Sequence, residues 1–219
     1  MSIVIRSLSD QVFDVLRERI LAGQVPTSSP IRQDALAAEL GISKIPLREA
    51  LARLEQEGLL ESQTNRGFFV RPMSTRELEE VYALRLKLEP DAVVAGARAA
   101  TPAQQEGARK ALDDFKREAD LRRISGGAHN RAFHVALIEP SGNRVTNDFL
   151  VRLHILADRY VCKHLEPLGR NERADKEHDE LLGAWLDQDE PRLRQLVYDH
   201  IFNTLADLRE QLAAEGVSG

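Results

Sequence analysis

Three histidines, His134, His178 and His200, stand at helical spacing among apolar residues in three separate stretches of the chain. His134 shares a face with Phe133 and Leu137, and Asn130 sits one turn before it. His178 lies with Leu181, Leu182 and Trp185, and His200 with Leu193, Leu196 and Val197. A single imidazole on an apolar face is ordinarily a hydrogen-bonded core residue. Three on the inward faces of three helices also suit a divalent-metal site, where neutral imidazoles ligate and an oxygen one turn before the first completes four ligands. Periodicity leaves both readings open. His129, His154 and His164 have no matching partner spacing and read as surface or helix-end residues.

Arg85 falls on the inward stripe of Leu78, Val81, Leu88 and Ala92. An unpaired guanidinium there is costly, so it either forms a buried pair with Glu89 one turn on or clamps an anionic ligand through its planar fork. Arg152 and Asn203 are further candidates to line a ligand cavity beside Arg85. Three histidines around an open metal position also raise the possibility of hydrolysis by an activated water. Glu89 and Asp207 are then the nearby acids, but neither stands at a motif spacing for a general base.

A second kind of chemistry is written in Ser43-Lys44-Ile45-Pro46-Leu47-Arg48-Glu49-Ala50-Leu51, which follows Leu36-Ala37-Ala38-Glu39-Leu40-Gly41-Ile42. One short helix stops at a glycine and another starts at a serine, the arrangement of a helix-turn-helix. Leu47, Ala50, Leu51 and Leu54 recur at helical spacing and point inward, while Lys44, Ile45 and Arg48 share the outer arc. Ser43 suits the N-cap, and Pro46 falls in the first turn, where it removes no intrahelical hydrogen bond. The bland alternative is an ordinary helical hairpin.

The elements around these residues set the architecture. Leu8, Val12, Leu16 and Ile20 form the stripe of a helix preceding the motif. Glu61 to Gln63 and Phe68 to Arg71 read as two short strands about a Thr64-Asn65-Arg66-Gly67 turn, a wing whose tip carries Arg66 towards phosphate or the minor groove. Arg71-Pro72-Met73 is a linker, and Ser74 with Glu77 reads as a capping box. Six helices are predicted beyond it, at about 75–99, 102–123, 127–138, 143–165, 172–187 and 190–213. Breaks fall at Thr101-Pro102, Ser125-Gly126-Gly127, Pro140-Ser141-Gly142, Pro167-Leu168-Gly169 and Asp189-Glu190-Pro191. Pro90 should kink the first of the six, and residues 214–219 read as a frayed tail. The expected fold is mainly α: a winged helix-turn-helix domain over residues 1–72 and an all-helical bundle of about six helices over 73–219.

Composition bounds the rest. The 219 residues suffice for two modest domains. Cys162 is the one cysteine and cannot form an intrachain disulfide, which fits a reducing cytoplasm. The start, Met1-Ser2-Ile3-Val4-Ile5-Arg6, is too quickly polar for a signal peptide, and no apolar run approaches the roughly 18 residues that span a bilayer. Residues 1–72 carry nine Lys/Arg and nine Asp/Glu, so the remainder holds the whole net charge of −5. DNA binding by such a neutral domain must rest on a local cluster, with Arg32, Lys44, Arg48, Arg66 and Arg71 as its members. It should depend strongly on salt.

The stretch Ser43 to Leu51, with Leu54, Glu57-Gly58-Leu59 and Arg66-Gly67-Phe68, resembles the winged domain of GntR-type transcriptional regulators. That resemblance implies operator contacts from Ser43, Lys44, Ile45 and Arg48 on the recognition helix and from Arg66 and Gly67 on the wing. Lys44 stands where the family usually has arginine, and Lys lacks the bidentate fork that reads guanine. Ile45 replaces threonine, offering an apolar surface to a thymine methyl. Asp34 lies where some members carry a phosphate-binding arginine.

Asn130-x-x-Phe133-His134-x-x-Leu137, Ser141-Gly142-Asn143, and Glu177-His178 followed by His200 resemble the FCD effector domain of the FadR-like branch, and six helices point to its VanR-like group. The resemblance implies a divalent metal, such as zinc, nickel or manganese, held by an aspartate and three histidines beneath a cavity for a carboxylate effector. His134, His178 and His200 occupy the histidine positions. Asn130 occupies the aspartate position, where a neutral amide is a weaker ligand. Arg85 before Leu88-Glu89 also looks like the family pattern, as an effector clamp. The expectation is therefore a cytoplasmic, homodimeric regulator and not an enzyme. It would bind a palindromic DNA operator, most simply as a repressor, and respond to a small carboxylate. A regulator that senses the metal alone is the alternative, and a metal-dependent hydrolase a more distant one.

Overall fold

In a computed structural model of the chain, which describes residues 7–27, 29–120, 126–164 and 170–214, two compact units form, Met1–Pro72 and Met73–Gly219. In the first unit, α1 (Leu8–Leu21) opens on a capping box. Ser7 Oγ accepts from the Asp10 amide at 3.1 Å, and the Asp10 carboxylate accepts from the Ser7 amide, also at 3.1 Å. α1 buries Val12, Phe13, Leu16, Ile20 and Leu21. Leu8 lies outside this set, almost half exposed: the first turn of α1 projects beyond the core.

α2 (Gln33–Glu39) and α3 (Lys44–Gln56) are joined through Gly41, whose φ of +65° is left-handed and favours glycine at that turn. Leu47, Ala50, Leu51 and Leu54 of α3 are fully buried, and α3 packs on α1. Ser43 has the extended backbone of an N-cap, but its side chain accepts no capping hydrogen bond.

The wing is an antiparallel hairpin of β1 (Leu60–Gln63) and β2 (Gly67–Val70), with Leu60 opposite Val70 and Gln63 opposite Gly67. Both strands begin one residue earlier than the sequence pattern suggests, because cross-strand pairing recruits Leu60 and Gly67. The Arg66 amide donates to Gln63 O at 2.9 Å, and Asn65 and Gly67 take positive φ, which closes a three-residue loop. The Ile31 amide donates to Phe68 O at 2.8 Å, so the segment before α2 covers part of the edge of β2.

The second unit comprises, among the described residues, α4 (Thr75–Ala99), α5 (Pro102–Asp120), α6 (Gly126–Ile138), a 3-10 turn (Glu139–Ser141), α7 (Arg144–His164), α8 (Arg170–Leu186) and α9 (Glu190–Ala214). α4 is central and packs on α6, α7 and α9. It runs through Pro90 without interruption of the helix. Ser74 Oγ accepts from the Glu77 amide at 3.4 Å, but the reciprocal half of the expected capping box is replaced. Tyr160 on α7 accepts from the Ser74 amide and donates to its carbonyl, each at 3.1 Å.

Tyr82, Phe115, Phe133, Tyr160 and Trp185 fill the core, and the Trp185 indole N–H donates to Leu137 O at 3.1 Å. The expected breaks at 125–127 and 167–169 and the tail fall wholly or partly outside the described residues. So do the side chains of Cys162 and His164. Among the described residues no helix is long and apolar enough to cross a membrane.

Candidate functional site

The winged unit presents a small set of basic groups on its recognition face. Lys44, Ile45 and Arg48 are exposed on α3, with Ile45 at 72% the most exposed of the large apolar residues there. A single exposed aliphatic side chain is common on protein surfaces and by itself requires no partner. The Lys44 ammonium is ion-paired with Asp34 at the start of α2. Arg66 donates to Gln63 Oε1 at 2.8 Å and lies over the Phe69 ring, which stiffens the wing tip. Arg71 is partly buried and donates to Gly58 O at 3.3 Å. Other cations of the unit are engaged away from this face: Arg19 with Glu39, Arg53 with Asp10, and Arg17 with Asp14 and Glu57. Among the described residues, internal pairing thus engages Arg17, Arg19, Arg53 and Lys44, while Arg32, Arg48 and Arg66 are exposed, as is the paired Lys44.

In the helical unit, a cavity of about 20 Å³ is lined by Arg85 of α4, Asn130 and His134 of α6, and Val161 of α7. α8 adds Arg173, Ala174, Glu177 and His178, and α9 adds His200, Ile201 and Thr204. Each ligand candidate arrives on the apolar stripe of its own helix. One ring nitrogen from each of His134, His178 and His200 lies within 4.8 Å of the others, and all three residues are buried. Small side-chain rotations bring such a set onto one ion at about 2.0–2.1 Å per nitrogen.

Two observations bear on whether a metal fits. Neither ring nitrogen of His178 has a hydrogen-bond partner among the described residues, although both are buried, an arrangement that calls for a missing partner. The Nδ1 of His200 lies 2.7 Å from Glu177 Oε2, which leaves Nε2 as its free lone-pair nitrogen. The donor set fits a divalent ion. The volume is enough for an ion or one water, and an organic acid needs the surrounding helices to part.

The electrostatics favour neutral imidazoles. Burial, reinforced by His154, pushes His134 well below the usual histidine range, against the opposing pull of Glu89. Burial, with His200 and Lys116, does the same to His178. Neutral rings are the ligating form. Burial would raise the Glu89 carboxyl, but the Arg85 guanidinium paired with it holds it well below its ordinary value.

Arg85 makes the buried pair: its Nε donates to Glu89 Oε2 at 2.8 Å and its Nη2 to Oε1 at 3.3 Å. It also lines the cavity, so any clamp on an anion requires it to exchange or share Glu89. Asn130 is half-buried in the lining, one turn before His134. Asn203 is absent from the lining and donates instead to Glu177 Oε1 at 3.4 Å. Arg152 is exposed. The inward face of α7 runs through Leu150, Leu153, His154, Ala157 and Val161, which turns residue 152 outward.

His154 is a correction: it is 1% exposed, stacks on His134 with ring centroids 5.1 Å apart, and puts Nε2 3.2 Å from Glu89 Oε1. Glu89, His134 and His154 thereby form a second buried cluster. Glu177, Thr204 and Arg173 also join the site without having been singled out for it. The signal was present in both helices, since 150-153-154-157-161 and 174-177-178-181 are continuous inward stripes.

Comparison with known proteins places both units in described families. Residues 8–70 match the family described as bacterial regulatory proteins, gntR family, and residues 80–203 match the FCD domain. The chain is similar to the Nta operon transcriptional regulator of Aminobacter aminovorans, with 34% identity over 84% of this chain and 77% of that protein. It is 27% identical to the HTH-type transcriptional repressor GlaR of Escherichia coli (strain K12), over 90% of this chain and 94% of that one. The E. coli McbR/YncC structure shares the fold with a TM-score of 0.80, 22% identity, and coverage of 94% of this chain and 99% of that one.

Proposed function

Because the chain belongs to the GntR family of bacterial regulatory proteins and carries an FCD domain behind its winged unit, we propose that it is a homodimeric, ligand-responsive repressor whose helical unit senses through a metal-anchored cavity. It is a DNA-binding transcriptional regulator and not an enzyme. The observation that carries the sensing role is the convergence of His134, His178 and His200 on one cavity, with Arg85 at its wall.

In this reading Ile45 and Arg48 read base edges in the major groove, while Arg32, Arg66 and the Gly67 amide hold the backbone. Ser43 and Lys44 flank the same arc. His134, His178 and His200 hold a divalent ion, with Asn130 as a weak fourth oxygen. The ion acts as a fixed positive charge that draws a small carboxylate towards Arg85. Each ligand changes operator affinity only as far as it prefers one arrangement of the dimer over another. A cytoplasmic location follows from this role.

One observation favours a second reading, in which the metal itself is the signal. The cavity of about 20 Å³ takes an ion with only small side-chain rotations, and an organic acid only if the surrounding helices part. One experiment separates the two. Operator duplexes selected from a random library are bound by the full-length protein, and release is measured on adding a chelator alone or small carboxylates to the metal-loaded form. Release by carboxylate at constant metal content supports the effector reading. Release by chelator, with no response to any carboxylate, supports the metal sensor. In the same assay Arg48→Ala is expected to abolish selective binding while sedimentation still shows a dimer. Retained selectivity would overturn the recognition-helix assignment.

A further inference from the structure

Asn130 leaves the candidate coordination set without formal charge: three neutral imidazoles and an amide oxygen. Anionic charge nevertheless stands directly behind the ligands. Glu177 Oε2 is 2.7 Å from His200 Nδ1, and Glu89 Oε1 is 3.5 Å from His134 Nδ1. The two carboxylates differ in what offsets them. Glu89 is fully buried and bidentate with Arg85, so that pair is neutral as a unit. Glu177 lies next to His178 in sequence and lines the cavity. Its other oxygen is 3.4 Å from Arg173 Nε and 3.4 Å from Asn203 Nδ2, and Arg173 also pairs with Asp207. Glu177 thus shares the Arg173 guanidinium with Asp207, whereas Glu89 has Arg85 in a bidentate pair.

We propose that Glu177 is a positioning residue that replaces, from one bond further out, the carboxylate missing at Asn130. A carboxylate only accepts, so the His200 Nδ1 beside it must carry the hydrogen, and Nε2 is then the lone-pair nitrogen presented to the cavity. The same contact places an anionic charge on the far side of the imidazole from the ion and strengthens the ring as a donor. Arg173 and Asn203 hold the carboxylate in that orientation. This inference rests on the metal reading above.

The test uses full-length protein stripped of metal and titrated with zinc against a chromophoric chelator. The proteins compared are the wild type and the variants His134→Ala, Glu177→Gln, Glu177→Ala, Asn130→Asp and Glu177→Gln/Asn130→Asp. Gln keeps an acceptor for His200 and removes the charge, whereas Ala removes both. Glu177→Gln is expected to weaken zinc by about 10-fold and Glu177→Ala by about 100-fold, the range seen when outer-shell partners are lost.

Asn130→Asp in the Gln background is expected to restore most of that affinity, because the charge returns by the direct route. A variant that had merely lost its fold would not be rescued so, and the unfolding midpoint of each metal-free protein checks this. Cobalt absorption in the visible supplies a second readout, with the ligand-field bands shifted in Glu177→Gln. Zinc that is absent from the wild type, or unaffected by His134→Ala, overturns the metal reading and this inference together. Zinc bound as tightly by both Glu177 variants as by the wild type overturns the role of Glu177 alone, as does failure of Asn130→Asp to rescue.

Discussion

The Lys44 ammonium meets a carboxylate before it meets DNA. Asp34 holds it on the recognition face, so binding a phosphate with Lys44 costs the Asp34 pair, and the bare carboxylate then repels the backbone. Asp34→Asn is therefore expected to tighten binding to selective and random duplexes alike. It should also steepen the dependence of log affinity on log salt by about 0.9, the equivalent of one added phosphate contact. Fluorescence anisotropy across a salt series reads this directly, and an unchanged slope would mean that Lys44 takes no phosphate.

Asp10 makes a second residue-scale case. Hydrogen bonds from Ser7, and then Arg53 at 2.6 Å, lower its carboxyl to about 2. A depressed carboxyl stabilises the fold above its unfolded value and loses that contribution as pH falls through about 2. The Asp10 side-chain carbon should titrate there in an NMR series; a midpoint at the ordinary aspartate value would show that the box and the tie from α3 to α1 do not hold in solution. At this scale the sequence was legible wherever a side chain's role depends on its own helix. The exposed arc of Lys44, Ile45 and Arg48 is of that kind. It was less legible where the role depends on a second element. His154 has no motif spacing, yet the approach of α4 and α6 makes it a partner of Glu89 and His134.

Helix limits were readable because caps and breakers are local. Ser74, Thr101-Pro102 and Asp189-Glu190-Pro191 each mark an end within a residue or two of the observed one. The wing was displaced by one residue because a strand ends where its partner ends, and that is not a local property. Close approach of elements is equally invisible in a single pattern. Gly96 reads as an unremarkable glycine within α4, but a Cβ there would meet Leu137 O at 2.0 Å, at the end of α6. The obstacle is backbone, held further by the Trp185 indole on the same carbonyl, so neither helix yields cheaply. Gly96→Ala gains helix propensity of roughly 1 kcal/mol but must push α6 away from α4, an overpacking cost of typically 1–3 kcal/mol and occasionally more. A net loss of stability is expected in urea unfolding. Because Leu137 is one turn from His134, zinc affinity should fall with it. Equal or greater stability than wild type would mean that the two helices stand further apart than the structure places them.

For the whole molecule, the decisive quantity is how little net attraction one winged unit has for DNA. Residues 1–72 balance nine basic against nine acidic side chains, and Arg17, Arg19 and Arg53 are tied to acids within the unit. Among the described residues Arg32, Arg48 and Arg66 remain for phosphate and bases, with Lys44 available only at the cost of its Asp34 pair, and each phosphate neutralised contributes roughly 0.9 to the salt slope. One unit on one half-site should therefore bind weakly at physiological salt. Joining two units in a dimer makes the second contact intramolecular, which multiplies affinity without any new contact and requires half-sites whose spacing matches the dimer. Full-length protein is accordingly expected to bind a duplex with two inverted half-sites at least 100-fold more tightly than a duplex of equal length with one, and with about twice the salt slope. Inserting half a helical turn between the half-sites should remove most of that gain, since it places the second site on the opposite face of the duplex. Equal affinity and slope on all three duplexes would mean that each unit acts alone, and the cavity of the helical unit would then have no paired geometry to control.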